Sequence, residues 1–493
     1  MLSDRTHLEP SSTPASVPED IPLVVDLDGT LVRSNLLIES ALRLVAAQPL
    51  AALHLPRWLG QGRAALKARI AEQVDLDLGQ LPLNDRMVQF IRSERASGRK
   101  VFLASAADGK YVRALAEHVG LFDGVFASDG RVNLRGSEKA RVLVGAFGER
   151  GFDYAGNGAI DLKVWAKARR ALLVDVSERV KDEAEAVCPD VHELEPPLAR
   201  GESWRVHIKA MRAHQWLKNM LVFLPALAHH SLDIGTLGVS ALAFLAFCLC
   251  ASSVYLLNDL IDLPSDRAHP TKRRRPFASG RLPLIHGAIL IPVLLMGAGL
   301  VSLALPWQFA AVLGGYYAVT LAYTFVLKRH IVIDVVTLAG LYTIRVVAGG
   351  AATGIEVSEW LLAFSMFLFL CLALIKRYSE LVERARQRKT KPAGRGYVTG
   401  DTPMIGALAG ASGFVSVLVL ALYINSPDVH ELYQHPDMLW GVGLLLLYWV
   451  ARVLMLAHRG EVNDDPLVFA VTDRMSLITV ALMALIVLAG SLP

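Results

Sequence analysis

The feature that most constrains this chain is a series of long apolar stretches between residues 216 and 491. A helix that crosses a bilayer needs about 20 mostly apolar residues, and nine stretches approach that length. They lie near 216–230, 237–258, 284–304, 307–327, 332–351, 358–376, 404–424, 438–457 and 474–491. Residues 20–205 contain no such stretch. The 493-residue chain is therefore expected to combine a soluble domain with an all-α membrane bundle of about nine transmembrane helices.

Lysine and arginine are distributed unevenly among the connections between these stretches. The connections after the second, fourth, sixth and eighth stretches carry them, whereas HHSLDIG, PW, TGIEVSE and NSPDVHELYQHPD carry none. Because cationic loops stay in the cytoplasm, we expect these loops and the N-terminal domain on the cytosolic side of a bacterial inner membrane. Residues 1–19 lack the apolar core of a signal peptide and are expected to form a disordered leader. The basic residues follow the membrane boundary, which argues against nucleic-acid binding.

Four side chains with metal-binding oxygens share one face of the predicted helix at the end of the second stretch, within an arc of about 100°. They are Asn258, Asp259, Asp262 and Asp266. Pro264 should break or kink this helix. Oxygen-only ligand sets suit Mg²⁺, which usually joins protein carboxylates to substrate phosphates, and Lys272 and Arg275 in the next basic run would bind the remaining phosphate charge. The alternative is a charge cluster that contacts anionic lipid headgroups.

The string NDxxDxxxDRxHPxKxxRP in this connection is similar to the first acidic motif of the UbiA-type intramembrane prenyltransferases. The resemblance extends over residues 205–493. It implies a helical bundle around a cavity whose polar mouth binds a Mg²⁺–diphosphate donor, while a lipid enters from the side. Asp259 and Asp262 would then be catalytic, because they hold the metal ion on the leaving diphosphate.

The second acidic motif of the members that prenylate aromatic acids is missing. At its place after the sixth stretch the chain reads IKRYSELVERARQR, with Lys376 and Arg377 where carboxylates are expected. Such a pair can bind phosphate but cannot hold a metal ion. Lys328, after the fourth stretch, and Arg345, inside the fifth, are further candidates for phosphate binding, since an intramembrane arginine is costly and usually faces a polar cavity. The loop cations are alternatively topology determinants at helix ends.

Together with QWLKN, YTFxLKRxxxxD and DDPxxFAxTDR, this pattern resembles the decaprenyl-phosphate phosphoribosyltransferase branch. The resemblance implies transfer of 5-phosphoribose from phosphoribosyl pyrophosphate to a polyprenyl (decaprenyl) phosphate. The alternative is a UbiA-type enzyme that transfers an isoprenyl group from its diphosphate to an aromatic or other acceptor. A lipid-binding or transport module is the non-enzymatic alternative.

Residues 20–195 alternate between short apolar runs and helical segments. The runs PLVVDLDGT, KVFLASA, FDYAGN and ALLVDVS have the pattern of buried parallel strands. This alternation predicts an α/β doubly wound domain in which the strand ends form a site. Residues 33–85 are expected to form a small helical cap. Residues 196–212 would be a linker, and residues 213–493 the membrane domain.

The motif DxDGT, followed by a strand-end serine, a lone lysine and a final acidic loop, resembles the haloacid dehalogenase superfamily of phosphatases. The resemblance makes Asp26 the nucleophile and Asp28 the general acid and base. Ser105 and Lys139 would bind the phosphoryl oxygens. The implied Mg²⁺ ligands are Asp26, Asp28, Asn157 and Asp161.

The final loop departs from the family pattern at one position. It reads GNGAID, with Asn157 where an aspartate is usual. An amide oxygen can bind Mg²⁺ but adds no charge, so a degenerate, regulatory or oligomerising domain is the alternative. If active, the domain would remove the 5-phosphate from the lipid product of the membrane domain. The bifunctional chain would then supply a precursor of cell-wall arabinan.

Overall fold

The computed structural model describes residues 21–129, 131–387, 395–462 and 466–491. The described residues form two compact units. The first consists of residues 21–207 and Ile261–Ile285, and the second of Ile208–Leu260 and the residues from His286 onward. The predicted leader at 1–19 lies outside the described residues, and the predicted linker at 196–212 contains a helix, Arg200–Ala210.

A six-stranded parallel sheet is the centre of the first unit. Its strands are β1 (Leu23–Asp26), β2 (Val101–Asp108), β3 (Gly124–Ser128), β4 (Asp153–Gly156), β5 (Arg170–Val174) and β6 (Val191–Glu195). Their order is β3-β2-β1-β4-β5-β6, and every neighbouring pair is parallel. Leu23 of β1 lies opposite Val101 of β2 on one side and Asp153 of β4 on the other. This arrangement confirms the doubly wound α/β prediction.

The helices of the first unit are α1 (Leu36–Ala47), α2 (Leu55–Gly60), α3 (Arg63–Gln73), α4 (Asp85–Ala96), α5 (Gly109–Val119), α6 (Ser137–Phe147), α7 (Leu162–Trp165), α8 (Glu178–Val187), α9 (Arg200–Ala210) and α12 (Leu263–Arg267). Of these, α3, α4, α5 and α6 contact the sheet, and the last residues of α9 belong to the second unit. Local sequence sets several of these boundaries. The Asn35 side chain accepts the Ile38 N–H to start α1, and Asp108 accepts the Lys110 N–H to start α5. Gly120, with a φ of +67°, ends α5 in the left-handed conformation.

Residues 33–85 are mostly helical, as the sequence predicts for a cap. They contain α1, α2 and α3 together with the short 3₁₀ segments Pro49–His54 and Leu78–Gln80. Leu44, Ala51, Ile70 and Val74 form a small hydrophobic cluster of their own. Because β1 leads directly into this region, the cap begins at the carboxyl edge of the sheet.

An ion-pair network at the start of β4 stabilises the sheet. Asp153 is fully buried, and it accepts bonds from Arg99 and from Arg169, whose Nη2 is 2.6 Å from Asp153 Oδ2. Loss of one partner leaves a buried carboxylate undercompensated. We expect Arg99→Leu to lower the free energy of unfolding of this unit by about 3 kcal/mol. Pulse proteolysis of the full chain in urea measures it.

The matched control for Arg99→Leu is Arg141→Leu. Arg141 pairs with Glu138 on the surface of α6, and its side chain is 72% exposed. Exposed pairs of this kind contribute little to stability. The control should therefore leave the unfolding midpoint unchanged, and an equal shift in both variants would contradict the role assigned to the Asp153 network.

The second unit is entirely helical. Its helices are α10 (Leu224–Ala228), α11 (Ile234–Ile261), α13 (Leu284–Ser302), α14 (Trp307–Phe325), α15 (Ile333–Thr353), α16 (Glu359–Arg386), α17 (Thr402–Ile424), α18 (Pro427–Leu432), α19 (Leu439–Arg459), α20 (Pro466–Thr472) and α21 (Arg474–Ser491). The first residues of α13 and the last of α11 belong to the first unit. Gly349 of α15 lies so close to the Val222 carbonyl that a Cβ there would collide with it.

Seven helices in the described residues are long and apolar enough to cross a membrane, so the count of nine is not confirmed. Seven of the predicted stretches correspond to α11, α13, α15, α16, α17, α19 and α21. The first predicted stretch is instead a 3₁₀ segment, Ala213–Phe223, followed by the five-residue α10. The fourth is the 19-residue helix α14, which is not among the seven because its tyrosine, threonine, glycine and glutamine residues lower its hydropathy.

Candidate functional site

The carboxyl ends of the central strands bring the predicted phosphatase residues to one edge of the first unit. Asp26 is the last residue of β1, and the chain turns immediately after it through Gly29, whose φ is +81°. Ser105 lies in the neighbouring β2, and Asn157 directly follows β4 on the other side of β1. The strand order reverses on either side of β1, which is where doubly wound folds form their ligand sites.

Lys139 links the nucleophile candidate to a hydrogen-bond chain. Lys139 Nζ donates to Asp26 Oδ1 at 2.6 Å and to the Tyr154 hydroxyl at 2.8 Å. Tyr154 in turn donates to Asp161 Oδ1 at 2.9 Å. The Lys139 and Asp26 side chains are 5% and 10% exposed, so this pair is shielded from water. The buried ammonium is therefore placed to neutralise anionic oxygens at Asp26.

Burial raises the pKa of both aspartates, and different neighbours oppose the shift. It raises the pKa of Asp26 to about 7, against the opposing attraction of Lys139. Burial also raises the pKa of Asp28, although the Leu36 N–H, which donates to Asp28 Oδ1 at 2.7 Å, opposes the shift. A raised pKa favours the protonated form that a general acid needs. The contact of Lys139 with Asp26 opposes protonation there, which suits a nucleophile.

Asp161 and Asn157 have distinct places in the final loop. Asp161 Oδ2 accepts the backbone N–H groups of Asn157 and Gly158 at 3.1 and 3.2 Å, so this carboxylate orders the loop. The Asn157 side chain instead lies against Gly29, where any Cβ would collide with it. Asn157 is thus the member of the loop that reaches the aspartate motif. Ser105 is fully buried, and its hydroxyl accepts the Ala107 N–H at 3.0 Å.

The donor set at this edge suits a hard divalent cation. Across the described parts of the chain, no three His, Cys, Asp or Glu side chains are grouped to hold a metal ion. The oxygens available are the Asp26 carboxylate, the Asn157 amide and the backbone carbonyl of Asp28. Such an oxygen-only set is the type that Mg²⁺ prefers. A metal site here would depend on an amide in place of the usual second carboxylate.

Two polar residues at this edge, Tyr154 and Lys67, were not predicted from the sequence. Tyr154 completes the Lys139 chain, and Lys67 of the cap helix α3 donates to Asn133 Oδ1 at 2.9 Å and to the Ala106 carbonyl. Burial lowers the pKa of Lys67, and the charge of Asp28 opposes the shift. Nothing in the pattern around Lys67 singles it out, because its role depends on the fold of the cap. Tyr154 could have been suspected from its place two residues before the strand-end glycine.

Asn258 and Asp259 lie near the end of α11 and belong to the second unit. Asp259 is buried and forms an ion pair with Arg212, whose guanidinium also lies 5.4 Å from the centre of the Tyr255 ring. Asn258 Oδ1 accepts the Thr324 hydroxyl at 2.8 Å. Sequence reasoning missed Arg212, although it stands just before the QWLKN motif. Oxygen donors backed by a guanidinium match a metal–diphosphate site in donor chemistry.

The rest of the acidic motif belongs to the first unit. α11 ends at Ile261, and the short helix α12 begins at Leu263 with Pro264 in its first turn, so the proline breaks the helix as expected. Asp266 is buried, and its Oδ2 lies 2.6 Å from Arg275 Nη1. The structure thus brings a predicted metal ligand and a predicted phosphate ligand together. Asp262 and Lys272 are both partly exposed.

Arg345 is buried in the interior of the bundle. Its Nε donates to Asn219 Oδ1 at 2.9 Å and its Nη2 to the Tyr316 hydroxyl at 3.0 Å, with a further bond to the Leu341 carbonyl. The guanidinium lies 4.8 Å from the centre of the Tyr316 ring. All of these partners are neutral, so they solvate the cation without cancelling its charge.

Arg377, a predicted phosphate ligand, is paired with carboxylates. It is fully buried, its Nη2 lies 2.8 Å from Asp334 Oδ2, and it also pairs with Glu380. Asp334 is further bound by Arg395 Nη1 and the Tyr323 hydroxyl, at 2.9 and 2.8 Å. This network stabilises the helix ends around Arg377. Lys328 and Lys376, the other predicted phosphate ligands of these loops, are partly exposed.

Proteins of known sequence resemble the chain over different lengths. An uncharacterized protein of Sinorhizobium fredii is 37% identical over 468 residues, which are 94% of this chain and 90% of that protein. The nodulation protein NoeC of Azorhizobium caulinodans is 35% identical over 282 residues, 57% of this chain and 91% of NoeC. The decaprenyl-phosphate phosphoribosyltransferase of Mycolicibacterium smegmatis is 42% identical over 179 residues, 35% of this chain and 56% of that enzyme.

Solved structures resemble the two units separately. A UbiA homolog from Archaeoglobus fulgidus, bound to DMAPP and Mg²⁺, covers 57% of this chain and 98% of its own, with 15% identity and a TM-score of 0.44. A HAD family hydrolase from Salmonella enterica covers 36% of this chain and 69% of its own, with 15% identity and a TM-score of 0.28.

Residues 219–470, more than half of the chain, match the sequence profile described as the UbiA prenyltransferase family. This match and the seven apolar helices identify an integral membrane protein. The aligned region includes the helix that carries Asn258 and Asp259 and the connection that follows it. The chain belongs to the UbiA prenyltransferase family.

Proposed function

We propose that the chain transfers 5-phosphoribose from phosphoribosyl pyrophosphate to a polyprenyl phosphate, and that its first unit then removes the 5-phosphate of the lipid product. The observation that carries the transferase proposal is the pairing of one acidic motif with arginine: Asp259 with Arg212, and Asp266 with Arg275. An acidic sequence motif whose carboxylates pair with guanidinium groups suits a donor that has several phosphate groups. The 42% identity to a decaprenyl-phosphate phosphoribosyltransferase supports the same substrate pair.

In the transfer reaction, the acidic motif would bind the pyrophosphate part of the donor. Bound Mg²⁺ would supply Lewis-acid stabilisation of the leaving pyrophosphate. Asn258, Asp259, Asp262 and Asp266 would hold the ion, while Lys272 and Arg275 would bind phosphate oxygens directly. The acceptor is a phosphate that is already anionic at neutral pH, so the reaction needs no strong general base. It attacks the anomeric carbon as the bond to pyrophosphate breaks.

Phosphates on the ribose and on the lipid would require further cations. Arg345 is the strongest candidate, because its partners are neutral and its charge is retained in the bundle interior. We also propose Lys328 and Lys376 as ligands of these phosphates. Arg377 is the weakest candidate, since two carboxylates already pair with it.

In the phosphatase reaction, Asp26 would attack the phosphorus and form an aspartyl-phosphate. Asp28 would protonate the leaving ribose oxygen and then take a proton from the attacking water. Ser105 and Lys139 would bind the phosphoryl oxygens, with Mg²⁺ held by Asp26, the Asp28 carbonyl and the loop of Asn157 and Asp161. Both sites would face the cytosol of a bacterial inner membrane, because the cationic loops and the N-terminal domain would share that side. The product would serve as a precursor of cell-wall arabinan.

An assay with the purified full-length chain, phosphoribosyl pyrophosphate and a polyprenyl phosphate tests the proposal. We expect Mg²⁺-dependent release of pyrophosphate, followed by release of inorganic phosphate. Pyrophosphate release that requires an isoprenyl diphosphate and an aromatic acceptor would overturn the transferase assignment in favour of prenyl transfer. No turnover with either substrate pair would overturn both.

The amide at residue 157 should limit the phosphatase reaction. We expect Asn157→Asp to lower the Mg²⁺ concentration for half-maximal phosphate release by about tenfold, because ligand charge tunes affinity at oxygen sites. Asn157→Ala should raise that concentration or abolish release. Titration of Mg²⁺ against phosphate release from the 5-phosphorylated lipid measures both variants. If aspartate and alanine have the same effect, residue 157 does not bind the ion.

A further inference from the structure

A cavity of about 370 Å³ opens onto the phosphatase residues of the first unit. Asp28, Gly29 and Asn157 line it, so the cavity includes the proposed general acid and the final-loop amide. Its volume is at the lower end of the range for small-molecule sites, about 300–1,000 Å³. A sugar phosphate can therefore fill it, whereas a much larger headgroup cannot.

A hydrogen-bonded trio forms the polar wall of this cavity. Arg33 Nη2 lies 2.6 Å from Glu195 Oε1 and 3.3 Å from Asn84 Oδ1, and Asn84 Nδ2 donates to Glu195 Oε2 at 2.8 Å. Within the trio, both hydrogen bonds of Arg33 come from Nη2. The other guanidinium nitrogens carry further N–H donors. Fixed donors and acceptors of this kind orient a ligand that has hydroxyl groups.

Part of the cavity lining is apolar. It includes Ile38 of the cap helix and Leu284 and Ile285, which are the first two residues of α13. α13 is one of the helices that are long and apolar enough to cross a membrane. Ile285 is 46% exposed. The lining of the cavity thus includes both Asp28 and the first residues of a helix that is apolar enough to cross a membrane.

The segment that leads to Leu284 and Ile285 is bound to helix α1 by an ion pair. Arg267 Nη1 lies 3.2 Å from Glu39 Oε2, Arg267 Nη2 binds Glu39 Oε1 at 2.5 Å, and both side chains are buried. Gly280, with a φ of +70°, lies so close to Arg33 that a Cβ would collide with the Arg33 carbonyl. These contacts hold the segment before Pro283–Ile285 against residues that also belong to the first unit.

We propose that this cavity binds the sugar-phosphate headgroup of a membrane-anchored lipid, with the Arg33–Asn84–Glu195 trio on the sugar hydroxyls and Leu284 and Ile285 against the first part of the lipid. The inference rests on the proposed phosphatase function and names the residues that would recognise its lipid substrate. In this proposal Ile285 contacts the lipid chain. It therefore contributes to the affinity for the lipid ester but not to the affinity for a soluble sugar phosphate.

The test compares two ligands of the full-length chain in detergent, ribose 5-phosphate and farnesyl-phosphoryl-5-phosphoribose. Titration calorimetry with the Asp26→Asn chain, or with the unaltered chain in EDTA, measures binding without hydrolysis. We expect the farnesyl ester to bind at least tenfold more tightly. Ile285→Ala should weaken its binding by about fivefold to tenfold, the effect of one or two lost methylene contacts, and leave ribose 5-phosphate within twofold.

Ile289→Ala is the matched control, because Ile289 lies one turn further along α13, is 55% exposed and does not line the cavity. It should change neither affinity. Equal affinities of the two ligands, or equal effects of the two variants, would overturn the inference. Phosphate release by chains with Asp26 intact is scored separately. Tighter binding of the farnesyl ester without phosphate release would refute only the phosphatase function. Phosphate release from both ligands that does not depend on residue 285 would refute only this inference.

Discussion

Asp26→Asn should stop phosphate release while pyrophosphate release continues at the rate of the unaltered chain. The substitution removes the nucleophilic oxygen that Lys139 holds at 2.6 Å and keeps the size of the side chain. Loss of a nucleophile commonly lowers turnover by three orders of magnitude or more, about the full contribution of the catalytic group. The 5-phosphorylated lipid should accumulate as the end product. Thin-layer chromatography of radiolabelled lipid, together with assays of both released phosphates, measures the outcome.

Asp182→Asn is the control for Asp26→Asn. Asp182 is an exposed residue of α8, and its substitution should leave both reactions unchanged. Because Asp26→Asn leaves Lys139 buried without its carboxylate, resistance of the first unit to proteolysis must be checked in the same samples. An intact unit that still dephosphorylates the lipid at half the normal rate would refute the nucleophile assignment. So would an unchanged product distribution in a chain that is shown to be folded.

The sheet of the first unit could be predicted because local pattern and tertiary fold agree. β1 is apolar at Leu23, Val24 and Val25 and buried on both faces, which only the centre of a parallel sheet requires. Its carboxyl end then places Asp26 beside β2 and β4, so strand order alone brings Ser105 and Asn157 to the same edge. The resemblance singled out Lys139 as a phosphate ligand, whereas its contacts with Asp26 and Tyr154 are visible only in the structure.

The membrane bundle shows where hydropathy loses its predictive power. The stretch 216–230 is apolar enough to suggest a span, but Trp216 donates to Ser252 and Asn219 accepts from Arg345, so this segment binds polar groups of other helices. Its 3₁₀ geometry reflects these tertiary contacts. A hydropathy window cannot register hydrogen bonds to residues 30 or more positions away. The same limitation hid Arg212, whose partner Asp259 is 47 residues distant.

Charge alone could not separate binding cations from structural ones. Arg345 and Arg377 are both buried arginines of long helices, yet Arg345 contacts neutral groups and Arg377 contacts Asp334 and Glu380. Glu380 lies three residues away on the same helix, but Asp334 lies on α15, so the sequence around Arg377 does not reveal that second pair. Of these two arginines, the fold shows that Arg345 is the one whose charge no carboxylate among the described residues neutralises. Substitution of these two arginines should therefore have different consequences for transfer and for stability.

Asp259→Asn is expected to lower pyrophosphate release by two to three orders of magnitude, the usual size of a lost electrostatic contribution to a leaving group. The carboxylate is buried near the end of α11, next to Asn258, and the amide would hold Mg²⁺ more weakly. The Mg²⁺ concentration for half-maximal transfer should rise in the same variant. Phosphate release from added 5-phosphorylated lipid should be unchanged, since it depends on the first unit.

Asp233→Asn controls for the loss of a carboxylate on α11. Asp233 is exposed before the other end of this helix and caps it by accepting the Thr236 N–H at 3.0 Å, a bond that an asparagine oxygen can also accept. The double variant Asp259→Asn/Arg212→Met separates metal binding from the ion pair. If Asp259 acts only by pairing with Arg212, removing both charges should restore transfer. If it holds the metal ion, the double variant should stay as inactive as Asp259→Asn, and recovery to the normal rate would refute the metal site.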